Sequence, residues 1–150
     1  MEKSELTNIL RDWIATYVKT KLSANYDLVE VLCPESSLSL INNINIKENP
    51  NYSSWEFKPD IFCVIKNKKS NAREYILLNR STGSLSLKEI GEIIVYSRII
   101  KPKFSFLISL NGLSNEVNLL MVDKEIKKRL TDYGGDNELI IARWDADKTN

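Results

Sequence analysis

Histidine is absent from the 150 residues, and cysteine occurs twice. Without an imidazole there is no Ser-His-Asp or Cys-His nucleophile, no His-ligated zinc and no hydrolase with a histidine general base. Two thiols, Cys33 and Cys63, are too few for a disulfide framework or a structural zinc site. Each lies in an apolar run, so both are expected as reduced core residues packing like small hydrophobes. Glycine and proline are sparse, at five and four, which excludes collagen-like and low-complexity chains. No apolar run approaches the ~20 residues that cross a bilayer, and Met1 to Leu6 lacks the basic start of a signal peptide. A cytoplasmic protein without membrane contact is the expectation. What remains is a chain 43% hydrophobic and 27% charged, of a length that buries one core. Its chemistry must come from carboxylates, amines, hydroxyls or thiols.

Hydrophobic spacing sets out the elements. Leu6, Leu10, Trp13, Ile14, Tyr17 and Val18 recur at helical spacing within residues 3–22. Tyr26 to Cys33 alternates as a strand that Pro34 ends. Residues 34–57 form a long polar excursion, with room for a short strand at 38–46. Two strands, 60–66 and 74–80, flank the polar turn 66–72 and should pair as a hairpin. Ser84 or Ser86 caps a helix carrying Leu87, Ile90, Ile93 and Ile94, which Pro102 closes. A buried strand follows at 104–110. Ser114 and Asp123 are N-caps for two helical pieces, Gly134-Gly135 stops the second, and 139–144 is the last strand. The helix between strands 74–80 and 104–110 makes a crossover, so those two should be parallel. The expectation is one α/β domain over residues 1–150, a central mixed sheet flanked by helices. Its core spans about 3–110, helices and a strand fill 114–144, and residues 145–150 form a polar tail.

Phe57-Lys58-Pro59-Asp60 opening a strand, the triplet Leu78-Asn79-Arg80 on the next, the helix Leu87 to Ser97 and Lys101-Pro102 before a buried strand together resemble the PD-(D/E)XK nuclease superfamily. The resemblance implies a restriction-endonuclease-like topology and a Mg²⁺- or Mn²⁺-dependent phosphodiesterase site. Asp60 takes the position of the first strand acid, while Leu78 stands where the second acid belongs and Arg80 where the lysine belongs. Leucine cannot ligate a metal. Two readings stay open. In one, Glu92 on the helix replaces the missing acid, joins Asp60 and Glu5 around the ion, and shares a helix face with Lys88 and Tyr96; Arg80 then supplies fixed charge but no base. In the other, the chain is a pseudo-nuclease that keeps the fold and a nucleic-acid surface without cleavage or cofactor.

The net charge of +1 conceals an uneven distribution. Residues 58–103 carry 10 basic and 4 acidic side chains, whereas 1–57 carry 5 and 8, and 104–150 carry 6 and 8. A basic middle third permits phosphate contacts to DNA or RNA, and Lys66, Lys68, Lys69, Arg98, Lys101 and Lys103 are the candidates. Each also has a plain structural role, as a hairpin tip or as a cation at a helix C-terminus. Trp55, in the polar excursion, is a candidate stacking residue. A regulatory or structural subunit that binds a protein partner and no nucleic acid is the alternative.

Overall fold

The computed structural model describes residues 1–34 and 59–148. The expected strand at 38–46, Trp55, and Phe57-Lys58 of the opening motif lie outside them. Helix α1 (Lys3–Lys21) buries Leu6, Leu10, Ile14 and Val18, the stripe expected from their spacing. Strand β1 (Tyr26–Leu32) pairs antiparallel with β2 (Ile61–Asn67), which pairs antiparallel with β3 (Arg73–Ser81). The β2–β3 turn is held by Asn67, whose side-chain oxygen accepts from the backbone N–H groups of Lys69 and Ser70.

Helix α2 (Leu87–Ile100) starts at Ser86 and ends where Lys101 adopts a left-handed conformation, φ 55°, just before Pro102. It crosses over to β4 (Phe104–Ser109), which lies parallel to β3 with Leu78 opposite Phe106. Helices α3 (Asn115–Met121) and α4 (Lys124–Thr131) follow, capped by Ser114 and Asp123. Strands β5 (Asp132–Gly134) and β6 (Asn137–Glu138) form a small hairpin, and β7 (Ile140–Arg143) closes the main sheet in parallel with β4. The five-stranded mixed sheet has the order β1-β2-β3-β4-β7 and is flanked by the four helices.

Strand alternation divides the core. Ile61, Cys63, Ile65, Ile76 and Leu78 point to the face that α1 covers, and Phe62, Val64, Tyr75 and Leu77 point to the face of Tyr96 and Ile100 on α2. A third cluster joins Ile90, Ile93 and Ile94 of α2 to Val117, Tyr133 and Leu139. The buried hydroxyl of Ser97 meets that of Ser105 at 2.7 Å, so the contact of α2 with β4 leaves neither hydroxyl unsatisfied.

Two expectations are corrected. Cys33 is exposed, because it lies one residue beyond the end of β1, while Cys63 is core as expected. Burial pushes the Cys63 thiol up to about 12. Gly134 and Gly135 do not stop α4, which ends at Thr131; with φ of 120° and 59° they turn the β5–β6 hairpin. The last strand expected at 139–144 is present as β7, and Leu139 just before it is buried and donates its N–H to the carbonyl of Thr131 at 2.7 Å.

The corner where Asp60 meets Arg80

Asp60 immediately precedes β2, and Arg80 sits near the end of the antiparallel neighbour β3, so the ladder register brings them together. Oδ1 of Asp60 contacts Nη1 of Arg80 at 2.8 Å, and Oδ2 accepts the backbone N–H of Arg80 at 2.9 Å. Asn79 completes the clasp, its side-chain oxygen accepting the N–H of Asp60 at 3.0 Å. Arg80 Nε also donates to the carbonyl of Lys3 at 3.2 Å, which ties the pair to the first turn of α1. The Arg80 side chain is 18% exposed and that of Asp60 29%. Both carboxylate oxygens therefore already have charged or backbone donors in a partly desolvated place.

The other members of the expected site lie elsewhere. Leu78 is fully buried, packed with Ile61 and Phe106 beneath α1. Glu92 is exposed on α2, the helix that covers the opposite face of the sheet from Leu78. Tyr96 does not share its surface: it is 2% exposed and packs with Phe62, Val64 and Leu77. Tyr96 is four residues from Glu92 and eight from Lys88, rotations of roughly 40° and 80°, which carry it from the solvent side toward the sheet. Glu5 accepts from the N–H of Glu2 at 3.3 Å, capping its own helix.

Among the described residues no three carboxylate or thiol side chains gather as a metal-holding group. The donor set at this corner does not fit a divalent ion. The guanidinium of Arg80 stands against the Asp60 carboxylate, and a cation arriving there would be repelled by it. Asn79 was missed as a participant in sequence reasoning; the signal was its short polar side chain beside a strand end, where Asn commonly bonds nearby backbone.

The basic candidates fall into two groups. Lys66, Lys68, Lys69, Lys101 and Lys103 are exposed and lie at the far end of the sheet from Asp60. Lys68 Nζ donates to the Ser23 carbonyl at 2.5 Å and sits 3.7 Å from Asp27. Arg98 lines a surface groove of about 790 Å³ with Lys128, Arg129, Glu125 and Asp132, and donates weakly, at 3.4 Å, to the Asp132 carbonyl. No described helix is long and apolar enough to cross a membrane. No family model, curated protein or solved structure matches the chain.

Proposed function

We propose that the chain is a PD-(D/E)XK-like domain that associates with nucleic acid but does not cleave it, and that it uses neither Mg²⁺ nor Mn²⁺. The observation that carries this reading is the Asp60–Arg80 ion pair at 2.8 Å. Where such a nuclease holds a metal between two acids, this chain has an acid neutralised by its own arginine and, two residues before that arginine, a leucine sealed in the core. Further support comes from the element order α-β-β-β-α-β of the described residues up to β4, antiparallel through the first three strands and parallel after the crossover. Restriction-endonuclease-like domains are built in that order. The exposed Lys66, Lys68, Lys69, Lys101 and Lys103 offer a sequence-independent affinity for phosphates.

The test is incubation of supercoiled and linear DNA, and of structured RNA, with the wild-type chain in Mg²⁺ or Mn²⁺. No cleavage is expected, and Asp60→Asn and Glu92→Gln should match wild type. Metal-dependent cleavage abolished by both substitutions would establish the rearranged site and overturn the proposal.

One observation favours the alternative of a protein-binding subunit. Leu119 and Val122 are 76% and 78% exposed on and just after α3. A partner protein that buries them is the occupant this second reading requires.

A further inference from the structure

The elements of this fold sort charge to one end. Strand β2 runs seven residues from the Asp60 corner, so its far end lies ~20 Å away. There Lys66 faces Arg73 across the ladder, on the sheet face that α2 covers. The last residues of α2 arrive at the same place, because the N–H of Lys103 donates to the carbonyl of Tyr75 at 2.7 Å. Lys101 and Lys103 are exposed there. The end of α1 comes to the same end from the other face: the carbonyl of Asn25 accepts the N–H of Lys68 at 2.9 Å. That brings in Lys19 and Lys21 from its last turn.

With Lys68 and Lys69 at the hairpin tip, this end carries eight cations drawn from three separated stretches of sequence. Among the described residues, Asp27 lies 3.7 Å from Lys68 Nζ, and the β5–β6 hairpin, which carries Asp132, Asp136 and Glu138, packs beside Lys101 and Lys103. Helix-dipole preference explains the cations at the C-terminal ends of α1 and α2, but not those of the hairpin. Of the large apolar side chains exposed in the described residues, Ile99 alone lies in the last turn of α2 beside this end, which suits a phosphate backbone better than a lipid surface.

We infer that nucleic acid is bound at this hairpin end, formed by the β2–β3 turn and the C-terminal ends of α1 and α2, and not at the Asp60–Arg80 corner. The inference rests on the nucleic-acid reading above and adds the location. The ligand class is a phosphate backbone, held without base readout.

Two charge-matched double variants test it on the full chain, with a 20-base-pair duplex read by fluorescence anisotropy across a salt series. Lys66→Glu with Lys103→Glu alters the hairpin end. Lys3→Glu with Lys88→Glu makes the same change in net charge in the first turns of α1 and α2, at the opposite end. All four side chains are exposed, and circular dichroism checks that each variant is folded. The first pair should lose at least about tenfold in affinity and flatten the salt slope by about 2, since each phosphate contact contributes ~0.9. The second pair should stay within about twofold of wild type. Equal loss in both pairs, or loss only in the second, would overturn the location while leaving nucleic-acid binding in place. A wild type that binds no duplex at low salt would overturn the nucleic-acid reading itself. Binding of anionic lipid vesicles without duplex binding would do the same and assign the end to a membrane surface.

Discussion

Arg80 and Asp60 meet through two bonds, one from the guanidinium and one from the backbone, in a place where neither side chain is more than 29% exposed. A pair that is partly desolvated differs from an exposed one, because removing one partner strands the other charge. Asp60→Asn keeps the size of the side chain but turns an oxygen into a donor facing a donor. It should cost ~1–3 kcal/mol, measured from urea unfolding midpoints. Arg80→Met in the Asp60→Asn background should recover part of that loss, since it removes the stranded cation. A cost below ~0.5 kcal/mol for Asp60→Asn is what a solvated surface pair gives, and it would show that the corner holds no fixed ion pair. That Leu78 and Arg80 share a face follows from strand alternation and was legible in the triplet. The third bond, from Asp60 to Asn79, was not, because a side chain that turns back onto neighbouring backbone leaves no periodic trace in sequence.

Helix α2 shows how an element is specified from its ends. Ser86 accepts from the N–H of Lys88, while the Glu89 carboxylate accepts from the backbone and hydroxyl of Ser86. Partial burial alone would push the Glu89 carboxyl up, but its bonds from Ser86 outweigh that and hold it below its usual value. A depressed carboxyl stabilises the fold above the unfolded-chain value of ~4.3 and loses that contribution as pH falls through the folded value. In Glu89→Gln, stability should therefore fall less steeply with acidification below pH ~5, as read from unfolding midpoints across a pH series. Wild-type and variant curves that stay parallel would mean the carboxylate has no folding-linked shift. Caps and apolar periodicity are local signals, which is why α1, the β2–β3 hairpin, α2 and the parallel β3–β4 pair could be read from the sequence. The end of α4 could not, since a Gly-Gly pair serves equally as a helix stop or a hairpin turn and only the pairing of Asp132 with Glu138 decides. The position of Tyr96 failed for another reason. Each step of four residues turns a helix by about 40°, so the row Lys88, Glu92, Tyr96 winds from solvent into the core, and Glu92 and Tyr96 fall on either side of that boundary.

Across the whole molecule, β2 and β3 supply alternate side chains to both faces of the sheet, so the α1 face and the α2 face cannot loosen independently. Opening α1 would bare Ile61, Cys63 and Leu78, and the strands that carry them also hold Phe62 and Leu77 against α2. The same coupling keeps the Asp60–Arg80 corner and the basic end at a fixed separation along the strands of one sheet. One cooperative unfolding transition is expected, as for most domains of this size. Leu10→Ala removes a fully buried side chain from α1 and should cost ~2–5 kcal/mol. The decisive measurement is made on the other side of the sheet, by amide hydrogen exchange in α2 at Ile93, Ile94 and Ser97. If those amides exchange only through global opening, Leu10→Ala should reduce their protection by the same free energy that urea unfolding reports. Tryptophan fluorescence in a Trp55→Phe background reports Trp13 and Trp144, which meet at 6.2 Å on the α1 face, and its midpoint should coincide with that from far-ultraviolet circular dichroism. Unchanged protection in α2 alongside a lowered fluorescence midpoint would mean that the two faces open separately, and the two ends of the molecule would then not be held by one rigid sheet.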